Sequence, residues 1–198
     1  IPFFLDSEST DMDPNMKEVY LNTILQTEKS TLKEGELLVD MTARQHTSYA
    51  RVTDQRLRDP EPDNWLMYRR TYNGWGYSPL RQITSLNVVD LTPVWVFSTG
   101  VREEHHQAPP IVNEGTMFVT TGAHVIALDA KDGDLLWRYE RELPEDLRKP
   151  HPTNRGVGLY DDKVYVGTLD AHVVALNATS GEVVWDRAVE DYRLGYYI

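Results

Sequence analysis

The sequence predicts an all-β chain, the first blades of a β-propeller, preceded by a partly helical N-terminal extension. Three observations predict it: a repeat at a spacing of 48 residues, apolar alternation between glycine-bearing turns, and a tryptophan closing each repeat unit.

The 198 residues suit one domain or slightly more, and the 40% hydrophobic residues with five tryptophans suffice for a packed core. Mean hydropathy is negative and no long apolar run is present, so no membrane span is expected. With 20 Lys+Arg against 31 Asp+Glu the net charge is −11, which disfavours nucleic acid and anionic lipid as partners. No cysteine is present, which excludes a disulfide, a Cys-based metal site and covalent attachment of haem c. Because the chain begins at Ile1 rather than methionine, a removed leader or a longer parent chain is expected.

Residues 1–58 read as the extension. Asp13-Pro14 has the form of a helix start, and Tyr20, Leu21, Ile24, Leu25 and Leu32 fall roughly on one helical face. A short strand or helix follows around Glu36–Val39, and Thr53–Arg58 forms one more helical turn. The extension is expected to pack on the outside of the main body, with docking of a partner subunit as the alternative. Residues 59–198 read as the propeller blades. Aromatic residues are dense from Trp65 to Tyr77, Gln82–Leu91 reads as a short helix or turn, and Val94–Phe97 reads as a strand. Further strands are expected at Thr116–Thr120, His124–Leu128 and Asp134–Tyr139, and again at Lys163–Gly167, His172–Leu176 and Glu182–Asp186.

The repeat carries most of this reading. Ala127–Trp137 and Ala175–Trp185 align without gaps, and the match extends upstream to Ala123-His-Val and Ala171-His-Val before a one-residue insertion. Asp132-Gly133 and Ser180-Gly181 supply hairpin turns in which glycine takes positive φ without steric cost. The Asp129 and Asn177 side chains are placed to bind turn amides. Trp137 and Trp185 are large flat groups for wedging a blade against its neighbour, and burying such a ring contributes roughly 2–3 kcal/mol. Trp95, 42 residues before Trp137, reads as the same position in a preceding blade. Two blades cannot close a ring, so the chain is expected to continue or to have partners that cover its blade faces. Glu103-Glu-His-His106 is not expected to hold a metal, since neighbours on an extended strand point to opposite faces. The Asn177-Ala-Thr179 sequon is accounted for as a blade turn.

The segment closing each unit is similar to the tryptophan-docking motif of pyrroloquinoline quinone propellers, a motif also carried by non-catalytic envelope scaffolds. Three further segments sharpen the match. They are Asp63-Asn-Trp65 with Tyr68, Arg70, Tyr72, Tyr77-Ser-Pro-Leu80 and Gln82-Ile83; Leu143–Leu147 running to Asn154-Arg-Gly156; and Gly167–Ala171 with Val173–Leu176. Together they resemble the N-terminal part of the quinoprotein methanol and ethanol dehydrogenases, over about residues 56–198. That resemblance implies an eight-bladed propeller oxidising an alcohol with pyrroloquinoline quinone (PQQ). The alternative is a non-catalytic β-propeller scaffold or interaction subunit of an envelope assembly.

The resemblance also implies site residues. The arginine of Asn-Arg-Gly reaches the quinone in the family, which singles out Arg155; its guanidinium suits the carboxylates and quinone oxygen of that cofactor. The family's early-loop glutamate matches Gln107, counted from Ile111-Val112, so an amide stands where a charge is usual. Family members usually carry adjacent cysteines before Asn-Arg-Gly. Here Lys149-Pro-His-Pro-Thr153 replaces them, one residue shorter, with a proline or His151 to offer a stacking face. The catalytic aspartate and the ligands of a Ca²⁺ or lanthanide ion are expected further along such a chain, so no catalytic or metal residue is assigned here. The other implied partners are the remainder of the propeller, as a second chain or a C-terminal part, an alcohol, and an external cytochrome c or similar acceptor. A periplasmic or secreted location is implied as well.

Overall fold

In the computed structural model, residues 49–101, 107–148 and 153–198 are described. Among the described residues, eight strands form two four-stranded antiparallel sheets, each a meander in chain order. The first contains β1 (Ile111–Asn113), β2 (Thr116–Thr120), β3 (His124–Asp129) and β4 (Leu135–Glu140). The second contains β5 (Gly158–Tyr160), β6 (Lys163–Gly167), β7 (His172–Asn177) and β8 (Val183–Ala188). The six strands expected after residue 115 are present within a few residues, and each sheet adds a three-residue first strand, β1 and β5. Three residues are too few to show an alternation, which is why these two escape a pattern-based reading.

The sequence repeat is a repeat of register. Ala127 pairs with Trp137 and Ala175 with Trp185, and the pairing shifts by a residue at the next position in both sheets. The hairpins between third and fourth strands follow the expected chemistry. Asp129 Oδ1 accepts from the Lys131 amide at 2.8 Å, and Asn177 Oδ1 accepts from the Thr179 and Ser180 amides at 2.9 and 3.0 Å. The sequon asparagine is thus an integral part of its turn.

What joins the blades is Trp137. Its indole N–H donates to the Ala178 carbonyl of the second sheet at 3.0 Å, and its ring packs closely against Gly181. A Cβ on Gly181 would come within 2.6 Å of that ring, so the glycine is needed for close approach as well as for its φ of +74°. Trp95 makes the same pair of contacts with the first sheet: it donates to the Ala130 carbonyl at 3.2 Å and covers Gly133. The buried core runs through both sheets, with Phe118, Trp137, Val125, Val164, Val174 and Leu176 among its members.

Val94–Phe97 corrects the reading made from sequence. It forms no strand, although Trp95 occupies the place that Trp137 holds one blade later. A strand needs a neighbouring backbone to bond, and among the described residues none lies alongside this segment.

Residues 49–66 tie the sheets together from the other end. Helix α1 (Asp54–Arg58) is capped by Thr53, whose hydroxyl accepts from the Arg56 amide. The Arg56 guanidinium donates to the Ala50 and Arg51 carbonyls, to both Glu61 oxygens and to Asn113. That contact holds the Glu61 carboxyl down to about 2, the hydrogen bond from Arg56 being the main cause. Val52 pairs with Asp161 at the β5–β6 turn, and Trp65 pairs with Val112 on β1. Burial pushes the Tyr49 hydroxyl, packed edge-on against Phe118, up to about 12. Among the described residues no helix is long and apolar enough to cross a membrane. The helix start at Asp13-Pro14, Glu36–Val39, Glu103–His106 and Lys149–Pro152 lie outside the described residues.

Candidate functional site

An antiparallel meander places the start of its first strand, the end of its second, the start of its third and the end of its fourth at one edge. In these two sheets that shared edge gathers the segments leading into Ile111 and Gly158. It also gathers the loops 121–123 and 168–171 and the residues just after Glu140 and Ala188. Gln107 and Arg155 both lie in the leading segments, each a few residues before its first strand.

The two segments meet. A Cβ built on Gly156 would lie 3.8 Å from the Cβ of Ala108, so the neighbours of Arg155 and Gln107 are in contact range. Gly156 has a φ of +118°, a conformation that favours glycine. Asn154 is buried and binds at both ends of its amide. Its Nδ2 donates to the Gly167 carbonyl at 2.7 Å, and its Oδ1 accepts from the Gly156 amide at 2.8 Å. Asn154 and Gly156 therefore form a fixed turn with Arg155 between them. The Arg155 side chain is exposed and has no hydrogen bond or ion pair among the described residues. Gln107 is exposed as well.

Beside this turn lies a cluster that the sequence reading missed. Arg141, the first residue after β4, reaches into the second sheet, where its Nε and Nη2 meet the Asp170 carboxylate at 3.1 and 2.6 Å. Its Nη1 donates to Asp186 on β8, and Asp186 in turn binds His172 Nδ1 at 2.6 Å. The Thr168 hydroxyl donates to Asp170 at 2.6 Å and accepts from the His172 amide at 3.1 Å. Burial pushes the Asp170 carboxyl up, but the bonds from Arg141 and Thr168 outweigh it and hold it below the usual carboxylate value. Asp170 lies in the quoted Gly167–Ala171 segment, whereas nothing local marks Arg141: an arginine just after a strand is ordinary until its distant partners are known.

On the same edge, a cavity of about 540 Å³ is lined by Asp146–Arg148, Leu169 and Tyr192–Tyr197. The Tyr192 hydroxyl closes one side by donating to Asp146 at 2.8 Å. Among the described residues no group of three acidic, histidine or cysteine side chains is placed to hold a metal ion.

Several known proteins resemble this chain in sequence and fold. The chain is 40% identical to quinoprotein alcohol dehydrogenase PedH of Pseudomonas putida over 156 residues, covering 76% of this chain and 26% of the relative. It is 41% identical to the 1-butanol dehydrogenase (quinone) of Thauera butanivorans, covering 74% and 25%. Among solved structures, the quinohemoprotein alcohol dehydrogenase ADHIIG of Pseudomonas putida HK5 superimposes with a TM-score of 0.65 at 36% identity, over 72% of this chain and 22% of that one. A europium-containing methanol dehydrogenase gives 0.60 at 31% identity, over 67% and 24%. The chain thus spans about a quarter of the length of the curated relatives it matches. Residues 65–191 match the family described as PQQ, glucose/ethanol/alcohol dehydrogenase, beta-propeller domain. Covering well over half the chain and agreeing with the paired four-stranded sheets, that match shows that this protein belongs to the PQQ β-propeller family.

Proposed function

We propose that the chain forms the first blades of a PQQ-dependent alcohol dehydrogenase and supplies one wall of its quinone pocket. The observation carrying this is Arg155: an exposed guanidinium without a protein partner among the described residues, on a turn fixed at both flanks, next to the Gln107 segment. Such a group suits a ligand with carboxylates and quinone oxygens. Its planar fork donates two parallel hydrogen bonds to such oxygens. Gln107 adds an amide that donates or accepts without charge. When bound, the quinone accepts the two electrons released in converting an alcohol to an aldehyde or ketone. The chain's own part is to anchor the group and, through Arg155, to favour negative charge on the oxygen it faces.

The catalytic aspartate and the Ca²⁺ or lanthanide ligands belong, on this reading, to the remainder of the propeller, whether C-terminal sequence or a second chain. Trp185 supports this: it repeats Trp137, yet it is only partly buried and stacks at a tilt on Tyr165 of its own sheet, whereas Trp137 is buried against the next sheet. Electrons pass to a separate cytochrome c or similar acceptor, and the enzyme works in the periplasm. Residues 1–58 act as an extension to the blades 59–198, with 49–58 fastening the two sheets.

Arg155→Ala in the complete enzyme tests the reading. Quinone bound per protein after gel filtration should fall at least about tenfold, the loss of a charge-assisted bidentate contact. Undiminished quinone content would remove Arg155 from the site.

A further inference from the structure

We propose that Arg141 and Asp170 form an inter-blade clamp that positions Arg155 relative to the Gln107 segment, making them positioning residues for the cofactor. This rests on the assignment of Arg155 to the quinone pocket.

The connection is continuous. The Arg155 turn is tethered to its sheet through Asn154, whose Nδ2 binds the Gly167 carbonyl. Gly167 is the last residue of β6, and the chain passes directly into the loop 168–171. Ala171, with a φ of +61°, holds a left-handed conformation that is costly for a residue with a Cβ. Thr168 stabilises that loop by accepting from the His172 amide and donating to Asp170, and the Ala171 amide returns to the Thr168 carbonyl at 3.0 Å. Asp170 is then gripped by Arg141, whose own amide donates to Ala123 in the first sheet. The carbonyl that holds the Arg155 turn is thereby fixed to the blade that carries Gln107.

The clamp departs from the repeat, which separates it from ordinary blade architecture. The backbone bond from Arg141 to Ala123 recurs as Val189 to Ala171, so the second blade has valine where the first has its clamping arginine. The corresponding loops differ too. Thr121 and Ala123 are separated by Gly122 alone, whereas Thr168 and Ala171 are separated by Leu169 and Asp170. The longer loop supplies the carboxylate that the first blade lacks. A buried ion pair gains little net stability over apolar packing, because desolvation offsets the attraction. Its worth here is directional: a two-point guanidinium contact fixes orientation as well as distance.

The test uses the full-length apoenzyme, measuring equilibrium binding of PQQ by fluorescence titration and thermal melting of each variant without quinone. Asp170→Asn and Arg141→Lys keep size while weakening the clamp. Thr168→Val, which deletes one hydroxyl, is the milder variant that decides the matter if the others do not fold. With Arg155 present, Asp170→Asn should weaken quinone binding about tenfold, the scale on which supporting partners of a ligand residue act. In an Arg155→Ala background the same change should cost less than about twofold, because its effect passes through that arginine. Equal losses in both backgrounds, or no loss in either, would overturn the clamp while leaving the assignment of Arg155 intact. An Arg155→Ala apoenzyme that binds quinone like the parent would overturn that assignment and the clamp with it.

Discussion

At the scale of single residues, the glycines of the third hairpins carry two demands at once. Gly181 needs a φ of +74°, and it lies under the Trp137 ring so closely that any Cβ would overlap it. The turn pattern in the sequence made only the first demand visible, because the ring comes from another blade. Gly181→Ala should therefore destabilise by about 1–3 kcal/mol, more than an ordinary turn substitution, and a denaturant midpoint would register it. Asp170 gives a second prediction, in acid. Its folded-state value lies below the ordinary carboxylate value of about 3.9, so the unfolded chain takes up its proton more readily. The stability it contributes is complete above that value and drains away as pH falls through the lower folded value. The melting-temperature gap between the parent and Asp170→Asn should be full at pH 7 and shrink below about pH 4. A gap unchanged down to pH 2 would show that the carboxylate charge is not what the clamp uses.

At the scale of elements, the second, third and fourth strands of each sheet were legible because each runs five or six residues, enough to show β-branched enrichment and alternation. β1 and β5 were not, since three residues carry no period. Val94–Phe97 failed the other way: its composition is strand-like, yet no backbone lies beside it to complete the ladder. The contrast between β4 and β8 shows what a neighbour does. Trp137 on β4 is 7% exposed beneath the second sheet, while Val183 and Val184 on β8 are about half exposed and Trp185 is only partly covered. Trp137→Ala should cost about 3–5 kcal/mol, the range for emptying a core aromatic site, and Trp185→Ala much less in the isolated chain. Equal losses on chemical denaturation would mean that the wedge between blades contributes nothing beyond its own sheet.

At the scale of the whole molecule, apolar side chains lie uncovered both ahead of the first sheet and along and after the last strand of the second. Val94 and Val96 on one side are 86% and 76% exposed, and Val183, Val184 and Val189 on the other are 51%, 49% and 59% exposed. Exposed apolar side chains of this kind draw partners, and a net charge of −11 opposes association only at low salt. The 198-residue chain alone should self-associate as ionic strength rises, as followed by sedimentation velocity. A monodisperse monomer in 0.5 M salt would contradict this. Co-expression with the remaining propeller blades should suppress the association by covering both faces.

The sequence by itself determined the blade repeat, the turn chemistry and the family, because strands, hairpins and motifs are written in residues a few positions apart. It also singled out Arg155 and Gln107, through their places in a motif rather than through any contact. Only the tertiary structure brought their segments to a common edge, and only it joined Arg141 to Asp170 and Asp186, 29 and 45 residues away. The physical reason is range. Alternation and turn propensity act within a strand or hairpin, whereas the packing of one blade on the next decides which distant side chains share a site.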